Sequence, residues 1–411
     1  MKKTKQWIIM AMVAIVVLAS SSSVQAMSIE QFWQGREIPI QANVKTGMPV
    51  GFAVSRKSIN INERLDMNTL LTVSGNFTWT SSDTNIVRVD AKGIVQGYKM
   101  GEATITATDE QNNSYTCIIS VGYKLGIDVS THNKNVDWAK VKAQGMEFAM
   151  IRSSYGWNDN FATDPDGQID AELAKNLKGV VENDIPFGLY HYAYATTVEE
   201  ARGEANYFLY TLSRMEKQYI EKISLPVAYD LEDRSIANTG IGKQGITQLA
   251  KTFCDAIAQR GYLPMVYANK NWFVNNIDVP DIVANGYEIW YAQYLNNPNI
   301  AQKPNVADSG YSPMIWQYAS DGIIEGAPSI GGTTDMNVMY MPETTFSLLG
   351  DADNDGAVKL YDVYEVLQAV AEGKTLEADF LKRADVNENG TLEAYDAYLI
   401  LQYAVGNIQI F

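Results

Sequence analysis

The chain has 411 residues, of which 46% are apolar, and this predicts several packed domains rather than a disordered chain. Its formal net charge of -16 argues against a nucleic-acid partner, because binding to phosphates requires a basic surface. The charge is uneven, since residues 347–411 contain 12 acidic and 4 basic residues.

Residues 1–26 have the features of a secretory signal peptide. Lys2, Lys3 and Lys5 precede an apolar run from Trp7 to Ala19, and Val24-Gln25-Ala26 offers a small-residue cleavage site. The run is shorter than the roughly 20 residues that span a bilayer, although an uncleaved anchor is the alternative. We expect a secreted, extracellular protein with no stable membrane insertion after cleavage, and a linker at residues 27–43.

The two cysteines, Cys117 and Cys254, fall in different predicted domains and in segments typical of a core. We expect no disulfide between them. An exported chain without disulfides must obtain its stability from ordinary cores or from metal.

Residues 44–122 contain short strand-forming runs about ten residues apart, separated by turns rich in Asp, Asn and Gly. In "GEATITATD" alternate residues are apolar, which predicts a strand with one buried face. The pattern favours a β-sandwich. The stretch "WTSSDTNIVRVDAKGIVQGYKMGEATITA" resembles the bacterial Ig-like domains of group 2. Because no cluster of catalytic residue types occurs here, we interpret this domain as a spacer rather than a dedicated binding site.

Residues 123–346 alternate short apolar strands with amphipathic, helix-like segments. Seven strands are recognisable: "LGIDV", "EFAMIR", "PFGLYHY", "LPVAYDLE", "LPMVYA", "EIWYAQY" and "PMIWQYA". Repeated βα units of this length predict a closed β/α barrel. Seven strands rather than eight leave its closure open.

The fourth of these strands leads into a group of carboxylates. "LPVAYDLED" places Asp230 and Glu232 at positions i and i+2, so that both project to the same side of the strand end. Catalytic side chains of β/α barrels lie at the carboxyl ends of the strands, where this pair is predicted to be. Two neighbouring carboxylates raise the pKa of one member, and cleavage of a glycosidic bond needs such a pair. A solvated turn is the alternative reading of this motif.

Other strand ends supply further polar and aromatic candidates. Asp128 ends the first strand, Gln317 lies in "PMIWQYAS", and Asp335 lies in "GTTDMN" near the end of the domain. Aromatic rings suit the apolar faces of sugars, although many are simply core. The aromatic candidates for substrate binding are Tyr155, Tyr192, Tyr194 and Trp290.

Two histidines, His132 and His191, also lie near strand ends of this block. We expect them to form structural hydrogen bonds rather than to take part in catalysis. No Cys/His cluster suggests zinc, and no glycine-rich phosphate loop occurs, so we expect no cofactor for catalysis.

This block resembles glycoside hydrolase family 25, the secreted lysozymes also called muramidases. The matching stretches, in the family's order, are "GIDVS", "VDWAKVKAQGMEFAMIRSSYG", "PFGLYHYAYA", "AYDLED", "IWYAQY", "IWQYAS" and "DMN". The resemblance implies an irregular β/α barrel, with Glu232 as general acid and base. Asp230 would hold or stabilise the reacting sugar, with direct attack and orientation of the N-acetyl group both left open. Asp128 and Asp335 would complete the acidic pocket.

The C-terminal block, residues 347–411, contains an internal repeat. "DADNDGAVKLYD" begins at Asp351 and "DVNENGTLEAYD" begins at Asp385, and each is followed by apolar residues at helical spacing. Oxygen side chains at loop positions 1, 3, 5 and 12, with glycine at position 6, are typical of calcium loops. The predicted ligands are Asp351, Asp353, Asp355, Asp362, Asp385, Asn387, Asn389 and Asp396.

Both loops end in Asp rather than in the Glu of an ordinary EF-hand, and the block resembles a type I dockerin. The resemblance implies a small all-α domain that binds two Ca²⁺ ions and docks into a cohesin module of a scaffold protein. It also implies that positions 10 and 11 of each loop help to select the partner. These residues are Leu360, Tyr361, Ala394 and Tyr395.

Three functions are compatible with these features. We favour a secreted hydrolase of the β-1,4 bond from N-acetylmuramic acid to N-acetylglucosamine in peptidoglycan, carried on a scaffold. A hydrolase of chitin-like N-acetylglucosamine polymers would use the same fold. A non-catalytic module that binds wall glycan is the third reading, and it would predict missing carboxylates at the strand ends.

Overall fold

The computed structural model describes residues 51–327, 332–341, 349–353, 358–373, 378–387 and 389–408. The predicted signal peptide, the linker and the predicted calcium ligand Asp355 lie outside these residues. No helix in the described ranges is both long enough and apolar enough to cross a bilayer.

The N-terminal unit consists of two packed β-sheets. Its strands are β1 (Arg56–Ile59), β2 (Arg64–Asp66), β3 (Phe77–Ser81), β4 (Val87–Val89), β5 (Ile94–Gly97), β6 (Gly101–Asp109) and β7 (Ser114–Val121). One sheet has the order β1-β7-β6-β3 and the other β2-β5-β4. In β6 the alternate residues Ala103, Ile105 and Ala107 are buried, as the period of two predicts.

A closed eight-stranded barrel follows. Its strands are β8 (Tyr123–Val129), β9 (Phe148–Tyr155), β10 (Phe187–Tyr192), β11 (Val227–Asp230), β12 (Pro264–Asn269), β13 (Glu288–Ala292), β14 (Ile315–Gly322) and β15 (Thr334–Tyr340). Strands β8 to β14 run parallel, whereas β15 is antiparallel to both of its neighbours, β14 and β8. The eighth strand, absent from the sequence prediction, therefore closes the barrel as one arm of a hairpin.

Helices cover the outside of the barrel. They are α1 (Trp138–Ala143), α2 (Leu173–Glu182), α3 (Val198–Arg214), α4 (Lys217–Ile220), α5 (Arg234–Asn238), α6 (Gly242–Ala258), α7 (Lys270–Asn275) and α8 (Val279–Ala284). Helix α6 buries Ile246, Leu249, Phe253 and Ile257, at the spacing of one helical face. The chain leaves this helix through Gly261, whose φ of 83° lies in the left-handed region that glycine tolerates.

The core of the barrel has two parts. Inside the strands lies a cluster that includes Phe148, Met150, Met265 and Trp290, so the interior is filled by side chains. A larger cluster lies between the strands and the helices. Cys117 and Cys254 are both free and buried, one in the sandwich and the other in this shell.

The sandwich is in direct contact with the barrel. Strand β7 leads through Gly122 into β8, and Lys57 forms an ion pair of 2.6 Å with Glu147. The backbone N–H of Ser55 donates to the carbonyl of Ala143 at 2.9 Å. These contacts join the two units, while the predicted spacer role remains a prediction.

The C-terminal block contains helices α9 (Leu360–Glu372), α10 (Ala378–Ala384) and α11 (Ala394–Ala404) in its described part. Val366, Ala397 and Ile400 form its small core with Ala352, Ala384 and Val386. The apolar residues at helical spacing after the first loop include Leu367 in α9, which is not in this core because it is 45% exposed. The small core accommodates only part of each apolar face.

Candidate active site

A cleft of about 550 Å³ opens at the carboxyl ends of the parallel strands. Its lining residues are mostly polar or aromatic: Asp128, Ser130, His132, Asn133, Arg152, Tyr190, Tyr192, Asp230, Glu232, Tyr267, Trp290, Tyr294, Gln317, Ser320, Thr333 and Asp335. All four carboxylates that the sequence analysis proposed for the barrel lie together in this cleft.

Strand geometry explains why the four carboxylates meet. Asp128 and Asp230 lie at the carboxyl ends of β8 and β11, and Glu232 follows Asp230 by two residues. Asp335 belongs to β15, and because that strand is antiparallel its first residues reach the same rim. Asp335 and Asp128 are register partners in the β15–β8 pair.

Burial and mutual repulsion raise the pKa values of these carboxyl groups. Burial raises the pKa of Asp230 well above its usual value, and the charges of Glu232 and Asp128 raise it further. The pKa of Glu232 is also raised, first by burial and then by the charges of Asp128 and Asp233. Burial raises the pKa of Asp335 to about 8. The coupled group therefore favours a protonated carboxyl at pH values where exposed carboxyls are ionised, which suits a proton donor.

A hydrogen-bond network fixes Asp128. Its Oδ1 accepts from Gln317 Nε2 at 2.9 Å and from Asn337 Nδ2 at 2.7 Å. Asn337 in turn accepts from Trp290 Nε1 at 2.8 Å. Burial raises the pKa of Asp128 to about 6, and the two amide donors oppose that rise. Asp128 is thus more acidic than Asp335, although it is more deeply buried.

Trp290 lines the cleft but is only 1% exposed, and its predicted contact with sugar stays a prediction. Its ring packs edge-on against Tyr267, at 4.6 Å between centroids. Gln317 is also buried, and its Oε1 accepts from the hydroxyls of Tyr267 and Tyr294. Both residues line the cleft and belong to the hydrogen-bond network that holds Asp128.

Three of the predicted aromatic residues lie together beside the cleft, and of these Tyr192 lines it. Tyr192 and Tyr194 lie 5.1 Å apart between ring centroids, and Tyr155 meets Tyr194 edge-on at 6.5 Å. Tyr194 is 38% exposed, so its ring is accessible to a ligand. We refer to Tyr155, Tyr192 and Tyr194 as the tyrosine wall.

The histidines differ in their positions. His191 is fully buried, its Nδ1 lies 2.9 Å from Ser154 Oγ, and burial lowers its pKa to about 3. It is therefore neutral and structural, in line with the expectation. His132 lines the cleft, and its backbone N–H donates to Ser130 Oγ.

Arg152, which lines the cleft, and Asn337, which binds Asp128, are among the residues of the site that were not predicted. Arg152 forms an ion pair of 2.8 Å with Asp170, and its charge lowers the pKa of Asp230. Arg152 directly follows an apolar run in β9, and that position was an available signal for it. Asn337 stands two residues after Asp335, on the same face of β15, and that spacing was the signal for it.

Aspartates in the C-terminal block converge as a cation site requires. Carboxylate oxygens of Asp351, Asp353 and Asp362 lie within 4.8 Å of one another. In the second repeat Asp385 accepts from the N–H of Gly390, and Asp396 accepts from the N–H of Asn387. The described oxygens are the hard ligands that calcium prefers, so the residues fit that ion.

The predicted partner-binding residues Leu360, Tyr361, Ala394 and Tyr395 are all exposed. Each tyrosine has a second exposed tyrosine one helical turn later. The ring centroids of Tyr361 and Tyr364 are 5.7 Å apart, and those of Tyr395 and Tyr398 are 5.9 Å apart. The two repeats thus present similar aromatic pairs but differ at Leu360 and Ala394.

Carboxylates gathered at the carboxyl ends of barrel strands, beside an exposed tyrosine, form an arrangement that a glycoside hydrolase can use. Residues 127–327 match Glycosyl hydrolases family 25, residues 62–119 match the bacterial Ig-like domain (group 2), and residues 349–403 match the dockerin type I domain. The barrel is therefore a glycosyl hydrolase family 25 domain, preceded by an Ig-like domain and followed by a type I dockerin domain.

Several curated proteins are similar to the barrel region. A lysozyme of Streptococcus phage Cp-9 is 29% identical over 205 residues, which cover 48% of this chain and 51% of the phage protein. An autolytic lysozyme of Clostridium acetobutylicum is 26% identical over 214 residues, covering 52% of this chain and 54% of that protein. This chain thus spans about half the length of these relatives.

A solved structure of a family 25 glycosyl hydrolase from Bacillus anthracis is 21% identical, with a TM-score of 0.41. The match covers 54% of this chain and 91% of that structure.

Proposed function

We propose that this protein is a secreted peptidoglycan hydrolase that cleaves the β-1,4 bond from N-acetylmuramic acid to N-acetylglucosamine. The observation that carries this proposal is the convergence of Asp128, Asp230, Glu232 and Asp335 in one cleft. The lysozymes among its relatives support this choice of substrate.

Glu232 is the general acid and base in this proposal. Its raised pKa keeps the proton that protonates the glycosidic oxygen as the bond to the leaving sugar breaks. The resulting carboxylate then takes a proton from the water that attacks the anomeric carbon, which restores the acid.

Asp230 acts on the other side of the reacting sugar ring. Within the described part of the chain, its buried Oδ1 has no hydrogen-bond partner. A buried carboxylate oxygen needs a partner, and an N–H or O–H group of the substrate would supply one. Both roles remain compatible with this site: direct attack on the sugar, and orientation of the substrate's N-acetyl group.

Hydrolysis of a chitin-like polymer is the second candidate, because the tyrosine wall suits N-acetylglucosamine as well as muramic acid. A non-catalytic glycan-binding role is disfavoured, since no proposed carboxylate of the barrel is missing from the cleft. Purified cell wall and chitin should be offered to the same enzyme, and the released reducing ends should be identified. Reducing N-acetylmuramic acid supports the proposal, and release from chitin alone would overturn it.

The dockerin domain would attach the enzyme to a cohesin module of a scaffold protein. The described side chains that would hold Ca²⁺ are Asp351, Asp353, Asp362, Asp385, Asn387, Asn389 and Asp396. Bound calcium would neutralise the clustered carboxylates and hold each loop against its helix. Capture of the full chain on an immobilised cohesin, with and without calcium, tests this attachment.

A further inference from the structure

Glu204 is a fully buried carboxylic residue on helix α3, behind the catalytic strands. Among the described residues no lysine or arginine forms an ion pair with it, which is unusual for a buried glutamate. Its position outside the cleft gives it no direct contact with substrate. Its burial therefore requires another explanation.

Three donors surround this carboxylate. Glu204 Oε1 accepts from the backbone N–H groups of Tyr194, at 2.7 Å, and Ala195, at 2.9 Å. Its Oε2 accepts from the hydroxyl of Tyr229. One side chain thus ties helix α3 to the turn after β10 and to strand β11.

Both connections lead to the cleft. Tyr229 immediately precedes Asp230 in β11, and its ring is held against Phe253 with 4.3 Å between centroids. The turn after β10 carries Tyr194 of the tyrosine wall. The N–H of Ala193, in the same turn, donates to the backbone carbonyl of Asp230 at 2.9 Å.

We propose that Glu204 is a positioning residue that fixes Asp230 and the tyrosine wall relative to each other. It does so through the hydroxyl of Tyr229 and through the backbone of residues 193–195. The inference rests on the proposed glycosidase function, because that function gives the placement of Asp230 its importance. Catalysis is sensitive to displacements of about 1 Å, so loss of this anchor slows the reaction without removing a reacting group.

The amide of glutamine reproduces most of this arrangement. Its oxygen accepts from the two backbone N–H groups, and its NH₂ group donates to the Tyr229 hydroxyl. Burial raises the pKa of Glu204 to about 7, so protonated glutamic acid is already a large fraction of the wild type near neutral pH. Glu204→Gln is therefore the conservative variant that should preserve positioning.

Tyr287 supplies a matched control at the other end of the barrel. Tyr287 immediately precedes strand β13, and its hydroxyl donates to Asp255 Oδ1 on helix α6 at 2.5 Å. The pair likewise joins a strand to the helical shell, but at the amino end of the strand, away from the cleft. Tyr229→Phe and Tyr287→Phe thus remove the same type of bond at opposite ends.

The experiment measures kcat and KM on defined glycan strands for Glu204→Ala, Glu204→Gln, Tyr229→Phe and Tyr287→Phe in the full chain. We expect Glu204→Ala and Tyr229→Phe to lower kcat by about ten- to a hundredfold, with a smaller change in KM. Glu204→Gln should retain most of the wild-type kcat that Glu204→Ala loses. Tyr287→Phe should lower the melting temperature and leave kcat unchanged. Equal loss of kcat in the two Phe variants, or unchanged kcat in folded Tyr229→Phe, would overturn the proposal.

Hydrogen exchange separates this inference from the proposed function. The backbone amides of Tyr194 and Ala195 should lose protection in Glu204→Ala, or in Tyr229→Phe if the former does not fold, and should keep it in Tyr287→Phe. If the wild type cleaves neither cell wall nor chitin, the proposed function fails, and these amides still decide whether Glu204 holds the turn. Unchanged protection in both cleft-side variants would contradict the inference.

Discussion

Asp335 and Asp128 face each other as register partners across the only antiparallel pairing that β8 makes in the described barrel. The reversed direction of β15 places Asp335 at the beginning of its strand and Asp128 at the end of its own. Two carboxylates distant in sequence thus lie beside Asp230 and Glu232, and their repulsion is part of the electrostatics of the cleft.

Glu232→Gln should lower hydrolysis of cell walls by about 10² to 10⁴-fold while the protein stays folded, because the amide keeps the shape but cannot donate the proton. Rates of release of reducing ends, together with melting temperatures, check this. Asp230→Asn should also lose most activity while still binding glycan. Near-native turnover by Glu232→Gln would show that another residue is the acid.

Asp233→Asn should shift the alkaline limb of the activity profile to lower pH. The charge of Asp233 helps to raise the pKa of Glu232, so removing that charge lets the catalytic acid lose its proton at lower pH. Asparagine can still cap helix α5, where Asp233 Oδ1 accepts from the N–H of Ser235 at 2.8 Å. The measurement is kcat/KM between pH 4 and pH 9, in roughly half-unit steps.

An unshifted alkaline limb in Asp233→Asn, with normal activity at the optimum, would mean that Glu232 does not control that limb. The exposed Asp184 offers a control, because Asp184→Asn removes the same charge far from the cleft rim and should leave the profile in place.

Asp335→Asn should make the thermal stability of the barrel less sensitive to rising pH. Burial raises the pKa of Asp335 to about 8 in the fold, against about 3.9 in an unfolded chain. The folded state therefore retains a proton that the unfolded state releases. The stability from this group is fully present below about pH 4 and is lost as pH rises towards 8.

Calorimetry in chelator, which removes any calcium contribution, should show a smaller fall in melting temperature between pH 5 and pH 8 for Asp335→Asn than for the wild type. Asp184→Asn should keep the wild-type slope. Identical slopes in all three proteins would contradict the assignment of Asp335 as a carboxyl that is protonated in the fold.

The sequence was sufficient for the seven parallel strands, because each is a short apolar run followed by a helix or a turn. It did not reveal β15, since "TDMNVMY" mixes polar and apolar residues and pairs antiparallel without a crossover helix. Asp128, Asp230 and Glu232 were predictable from their places at strand ends, whereas Asp335 was predicted from "GTTDMN" near the end of the domain and from the family resemblance. Asn337 was not, because its function depends on a bond to Asp128, 209 residues away. The same applies to Glu204, whose partners come from other elements.

Calcium should fold the dockerin domain, and chelation should unfold it while the barrel stays intact. The core of this domain is small, and the buried Asp351 and Asp362 lie close together, so their repulsion opposes folding without a cation. Small domains of this kind commonly depend on bound metal. Circular dichroism, cohesin capture and wall hydrolysis should be measured with and without chelator. We expect loss of part of the helicity and of capture, with hydrolysis unchanged.

Asp351→Ala combined with Asp362→Ala should reproduce the effect of chelation in the presence of calcium, because it removes two of the oxygens that converge in the first loop. Glu372→Gln, at the exposed end of helix α9, removes a carboxylate from the same domain and should leave calcium-dependent capture intact. If neither chelator nor the double substitution changes the helicity or the capture by cohesin, the assignment of the calcium sites is refuted. Loss of hydrolysis in chelator would instead place a required metal in the barrel, where we expect none.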